Sequence, residues 1–153
     1  MSILCILNFS VPEPINLNKN IYDLIDKEKQ ETSYYYLPNQ KYYETFKNEI
    51  NCKDSIYQWR RIYVRKNKSN VCPTLTANMG TGGHNVPIIK DDYGIRKLTL
   101  RECLRFQGFD DGYNLPNIAK TQLYKQIGNS VTVTVVERIA KEIVRLLSLN
   151  LEE

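Results

Sequence analysis

Two short helices with legible ends, followed by one long helix, constrain this chain more than any other feature. Thr99 and Glu102 stand three residues apart, the spacing of a capping box in which each side chain accepts the other's free backbone N–H. Leu100, Cys103 and Leu104 then recur at i, i+3 and i+4 until Gly108 stops the turn, which predicts one helix with one buried stripe. Thr121 opens a second helix, with Leu123, Tyr124 and Ile127 on its inner face and Gly128 supplying the left-handed residue that ends it. From Thr132 to Leu149, the positions Val133, Val136, Ile139, Ala140, Ile143, Val144 and Leu147 hold a period close to 3.6, so a long amphipathic helix follows. By pattern alone this is the helix-loop-helix core of an ordinary α+β domain.

At 153 residues the chain can form one domain with a sizeable core, or a small lobe of something larger. The apolar run Ile3 to Leu7 is too short for a membrane span and lacks the basic start of a signal peptide, so a cytoplasmic protein with no membrane partner is expected. Cys5, Cys52, Cys72 and Cys103 lie far apart without a Cys-x-x-Cys pair, and His84 is the only histidine; neither disulfides nor a metal site are expected. The 21 Lys and Arg against 17 Asp and Glu give a net charge of +4, which suits a polyanionic partner and equally a mildly basic surface.

Taken in order, Ser2 to Asn8 reads as a buried strand, and Val11-Pro12-Glu13-Pro14 leaves it as extended backbone. Ile21, Leu24 and Ile25 suggest a short helix, and Tyr42, Phe46 and Ile50 another. Tyr34-Tyr35-Tyr36 before Pro38 reads as a strand; such a cluster can stack bases, but half-buried packing against a small core is commoner. Gln58 to Lys66 reads as one strand with Trp59, Arg61, Tyr63 and Arg65 on one side and Arg60, Ile62, Val64 and Lys66 on the other. Its cations and aromatics suit a phosphate-contacting edge, and a basic strand is also an ordinary solvated edge. Thr74 to Gly83 reads as a strand entering a glycine-containing loop, whose small polar residues can approach base edges closely, or equally as a surface Ω-loop. Val86 to Ile89 and Ile95 to Leu98, separated by Lys90-Asp91-Asp92-Tyr93-Gly94, form a hairpin that feeds the capped helix. The expected fold is α+β: a small mixed lobe of short antiparallel strands, a hairpin and short helices, with a long C-terminal amphipathic helix.

The stretches Arg101-Glu102-Cys103-Leu104-Arg105-Phe106-Gln107-Gly108-Phe109 and Tyr124-Lys125-Gln126-Ile127-Gly128-Asn129-Ser130-Val131 closely resemble the last two motifs of DNA cytosine-5 methyltransferases, in order and spacing. Upstream, the run Cys72 to Pro87, with its Thr74-Leu75 pair, is similar to the target-recognition region of bacterial members. The resemblance covers about residues 57 to 147. Asp110 stands where the family usually has Pro, and Thr132 occupies another frequent Pro position; neither prevents folding.

The resemblance implies a division into residues 1–56 (leading strand and variable part of the recognition lobe), 57–98 (target-recognition region), 99–131 (last two motifs) and 132–153 (a helix docking on a catalytic domain). It implies double-stranded DNA as partner. Arg60, Arg61 and Arg65 would lie on phosphates, and Thr74, Leu75, Thr76, Asn78, Gly82, Gly83 and His84 would form the reading loop. Gly128, Asn129, Ser130 and Val131 would border the S-adenosylmethionine pocket. Cytosine-5 methylation also needs a nucleophilic Cys, a Glu that protonates the base, and a Gly-rich cofactor loop on a doubly wound sheet. This sequence has no Phe-x-Gly-x-Gly, Pro-Cys, Glu-Asn-Val or Gln-Arg-x-Arg. Cys72-Pro73 reverses the catalytic dipeptide in the wrong part of the chain, and no catalytic residue is assigned. The expectation is the recognition and C-terminal part of a restriction-modification methyltransferase that needs a separate catalytic part. A stand-alone DNA-binding module, or the remnant of an interrupted gene, is the alternative.

Overall fold

The computed structural model describes residues 9–69, 71–81 and 85–149. The expected strand Ser2 to Asn8 and Cys5 lie outside the described residues, as do Gly82, Gly83 and His84. The chain divides into two units, Asn18–Ser130 and Met1–Leu17 together with Val131–Glu153.

The larger unit is built on a four-stranded antiparallel sheet of β1 (Tyr57–Trp59), β2 (Val64–Lys66), β3 (Pro87–Lys90) and β4 (Ile95–Lys97), in the order β2-β1-β3-β4. The expected β3–β4 hairpin forms, with Ile88 opposite Lys97 and Lys90 opposite Ile95. Asp91 shapes its turn by accepting the N–H groups of Tyr93 and Gly94, both at 2.8 Å.

Strand alternation divides the apolar residues between two cores. Tyr57, Trp59, Ile88 and Ile95 pack with Phe46 and Ile50, which belong to or adjoin helix α1 (Tyr43–Glu49). Ile56, Ile89 and Leu98 join the cluster formed by helices α2 (Leu100–Phe106) and α3 (Lys120–Asn129). Tyr34 and Tyr35 are buried, and Tyr35 makes an isolated bridge to Arg96 while its hydroxyl donates to Asp91 at 2.9 Å. This segment is not the strand expected over Tyr34 to Tyr36: Thr32–Tyr34 is a turn of 3-10 helix, because Tyr34 and Tyr35 both turn inward and cannot alternate. Another 3-10 turn, Ile21–Asp23, stands where the short helix was expected.

Helix α2 starts as its sequence predicts. The Thr99 hydroxyl accepts the Glu102 N–H at 3.1 Å, and the Glu102 carboxylate accepts the Thr99 N–H at 2.7 Å. Gly108 follows the helix with φ of 86°. The Glu102 carboxylate also holds the fully buried Arg96 guanidinium through two 2.8 Å hydrogen bonds, and takes the Asp26 N–H at 2.9 Å. Arg96 Nε donates to Asp91 at 2.7 Å. Burial opposes the Arg96 charge, but Glu102 and Asp91 more than offset it and raise its pKa.

Three further expectations are corrected. Gln58 to Lys66 is not one strand but the β1–β2 hairpin, turned by Arg60 to Tyr63 with Arg61 at φ of 66°. Residues 71–76 carry no strand; Leu75 is buried while Thr74 is exposed, and Met79–Thr81 is a 3-10 turn. Helix α3 begins at Lys120 rather than Thr121, has no side-chain cap, and runs through Gly128 to Asn129. Gly128 therefore does not end it in a left-handed conformation, and its smallness has the tertiary cause described below.

In the other unit, helix α4 (Val133–Leu149) spans 17 residues. Val135, Val136, Ile139, Ile143, Val144 and Leu147 are exposed, and Leu146 is buried. The Ser10 N–H and hydroxyl donate to Glu142 at 3.5 and 3.3 Å, and with Arg145 they hold that carboxylate down to about 2, the Arg145 hydrogen bond being the largest cause. No helix among the described residues is long and apolar enough to cross a membrane.

Candidate functional site

The candidate residues fall at two places on the larger unit, a basic hairpin and a loop clamped to a helix, with Val131 lying in the other unit. On the hairpin, Gln58 lies directly opposite Arg65 in the β1–β2 register. The Gln58 side-chain oxygen accepts from Arg60 Nη1 at 3.1 Å and from Arg65 Nη2 at 3.3 Å. Asn85, at φ of 69°, accepts from the same Arg60 nitrogen at 3.2 Å, and its own N–H donates to the Trp59 carbonyl at 2.7 Å. Arg61 is exposed at the turn beside Ile62 and Tyr63, which are 85% and 52% exposed. Among the described residues, Arg60, Arg61 and Arg65 have no carboxylate partner, whereas Arg96, Arg105 and Arg145 each do. Uncompensated guanidinium groups on an edge can receive a polyanion without first breaking an ion pair.

The second place is the loop from Thr74 to Thr81. Thr76 donates its hydroxyl to the Asn78 side chain at 2.7 Å, and the Thr81 hydroxyl donates to the Asn78 carbonyl at 2.8 Å. Two glycines allow this loop to lie on α3. A Cβ on Gly80 would collide with the Tyr124 ring, and a Cβ on Gly128 would collide with the Thr76 carbonyl and the Ala77 nitrogen. Tyr124 is fixed in turn by its hydroxyl, which donates to the Leu98 carbonyl at 2.5 Å. Met79 is buried beneath the loop. Gly128 thus serves close backbone approach, a requirement set by a partner distant in sequence.

Beyond Gly128, Asn129 is exposed at the last position of α3, and Ser130 donates its hydroxyl back to the Ile127 carbonyl at 2.7 Å. Val131 is 61% exposed. Cys72 and Cys103 pack into the α2–α3 core, and burial pushes the Cys72 thiol up to about 12, unsuited to nucleophilic work. Among the described residues, no three His, Cys, Asp or Glu side chains gather closely enough to hold a metal ion.

The family model for C-5 cytosine-specific DNA methylases matches residues 3–145. The chain belongs to the C-5 cytosine-specific DNA methylase family. The type II methyltransferase M.Bsp6I of Bacillus sp. (strain RFL6) is 53% identical over 138 residues, which make up 89% of this chain and 43% of that protein. M.DsaV of Dactylococcopsis salina is 28% identical over 144 residues, 94% of this chain and 40% of that protein. The fold is shared with the crystal structure of the S. pombe Dnmt2 methyltransferase at a TM-score of 0.63 and 20% identity, covering 97% of this chain and 48% of that one. The chain spans less than half the length of these methylase relatives.

Gln58 and Asn85 escape sequence reasoning on this methylase chain. Gln58 sits between two core aromatics, and period-2 alternation places it opposite them, but only the β2 register shows which cations it meets. Asn85 carries the ordinary signal of a residue that tolerates positive φ, which does not name its partner.

Proposed function

We propose that this chain supplies the target-recognition lobe and C-terminal helix of a DNA cytosine-5 methyltransferase of the restriction-modification type. With a catalytic part that carries the cofactor loop and nucleophilic cysteine, it would methylate C5 of cytosine in a specific duplex site. The observation that carries this reading is the loop Thr74 to Thr81 seated on α3 by Gly80 and Gly128, in the same unit as an arginine edge without carboxylates. A reading loop needs backbone held in place, and duplex DNA needs cations free to meet its phosphates. Thr74, Leu75, Thr76 and Asn78 lie on that loop; Leu75 is a buried anchor, while Thr74 is exposed and Thr76 and Asn78 are half-buried. The division at 1–56, 57–98, 99–131 and 132–153 follows from the same reading.

The methyl group would come from S-adenosylmethionine. The exposed Asn129 amide and the Ser130 hydroxyl, and separately the exposed Val131, suit the border of its pocket, offering polar groups and an apolar contact. The exposed apolar positions of α4 suit a dock on the catalytic part.

The test is methyl transfer from labelled S-adenosylmethionine to duplex DNA, by this chain alone and mixed with a catalytic-domain chain from the same source. Activity in the mixture only is expected. Silence in both, with tight duplex binding by this chain, would replace the reading with a stand-alone DNA-binding module.

A further inference from the structure

We infer that Gln58 is a positioning residue that holds Arg60 and Arg65 together as a clamp for the DNA phosphodiester backbone, an inference that rests on the proposed DNA reading. Gln58 is 3% exposed, and its side-chain oxygen accepts from both guanidinium groups, at 3.1 and 3.3 Å. The two donor nitrogens therefore stand no more than about 6.4 Å apart, the sum of those two distances. Like charges that close repel one another, and a neutral amide oxygen offsets only part of the repulsion. An anion placed between them removes it.

Two amides flanking the strands turn this pair into a fixed feature. Asn85 takes a second hydrogen bond from Arg60 at 3.2 Å, and Asn67 one from Arg65 at 3.4 Å. Every acceptor in this cluster is a neutral amide, so both arginines keep their full charge for an incoming phosphate while losing side-chain freedom before it arrives. Arg61 has none of these supports and projects from the turn. The sequence places four cations on the hairpin, Arg60, Arg61, Arg65 and Lys66; the structure pre-organises two of them.

The experiment measures affinity for a fluorescein-labelled, random-sequence duplex by anisotropy across a salt series, which needs no knowledge of the target site. Gln58→Leu should weaken binding roughly tenfold, the effect of releasing two immobilised arginines. In an Arg60→Ala/Arg65→Ala background the same substitution should cost nothing further. A core defect would cost the same in both backgrounds, and that result would overturn the inference. So would a Gln58→Leu chain that binds like the wild type while the double arginine variant is weakened. If the double arginine variant binds like the wild type, or the wild type does not bind, the DNA reading of this edge falls first and the clamp with it. Should Gln58→Leu fail to fold, Gln58→Glu keeps the acceptor and adds a carboxylate that competes with phosphate. It should lower both affinity and salt slope, and unchanged values of both would overturn the clamp.

Discussion

Replacing Glu102 by Ala should unfold much of what the larger unit depends on. The carboxylate is fully buried and accepts four hydrogen bonds: two from Arg96, one from the Thr99 N–H and one from the Asp26 N–H. Breaking a buried pair by removing one partner costs about 3–5 kcal/mol. Asp91, 2.7 Å from Arg96 Nε, still compensates part of the charge, but the two guanidinium nitrogens that faced Glu102 lose their carboxylate. Loss of the capping interaction adds about 1 kcal/mol. The total, about 4–6 kcal/mol, is a large part of the roughly 5–15 kcal/mol that keeps a domain folded. The expected fall in Tm is on the order of 10 °C or more for a chain of this size. Urea unfolding of the wild type and Glu102→Ala, with m compared, measures it. A loss under about 1 kcal/mol at unchanged m would refute the reasoning. The paired substitution Arg96→Met with Glu102→Met sharpens the test: with neither charge left buried, it should cost less than the two single changes added together. Strict additivity would show that the two side chains do not act as a pair.

Gly128→Ala should lift the Thr76–Ala77 backbone off α3, so the Met79 amide, which donates to Thr76 at 3.0 Å, should exchange with solvent faster by hydrogen-exchange mass spectrometry; unchanged protection would contradict the close approach. Cys52 should be alkylated before Cys72 and Cys103 at neutral pH, because the Asp54 N–H and the Ser55 hydroxyl favour its thiolate while burial disfavours the other two; peptide mapping that finds equal rates would refute this. Asn129→Ala, altering an exposed residue, should leave Tm and DNA binding unchanged and impair cofactor use by the assembled enzyme; full activity would remove Asn129 from the pocket border.

What was legible in the sequence was local. The Thr99–Glu102 capping box, the β3–β4 hairpin and the inner face of α3 each depend on residues within a few positions of one another, and each forms. The β1–β2 turn was not legible because Arg60 to Tyr63 contains no Gly, Asn, Asp or Pro; Arg61 itself takes the positive φ. Gly128 carried a helix-end signal, yet its cause is a loop some fifty residues upstream. The Arg96–Glu102 pair was half legible, since the capping box singles out Glu102 and nothing marks Arg96 as a buried partner. For the site, sequence named the arginines and the loop threonines; the neutral amides that hold Arg60 and Arg65 emerge only from tertiary structure, Gln58 through strand register and Asn67 and Asn85 from the flanking segments.

On the proposed reading, the two glycine contacts between the loop and α3 also limit how a DNA-reading loop could be exchanged between family members. Thr76 and Gly80 bracket a five-residue stretch whose ends are pinned to Gly128 and Tyr124. A foreign loop grafted into this chain would fit only if it brought a small residue at the Gly80 position, because Gly128 on α3 already supplies the small residue at the Thr76–Ala77 contact. The natural seams for a loop graft therefore lie before Thr74 and after Gly80, and a hybrid cut inside the pinned stretch would separate surfaces that fit each other.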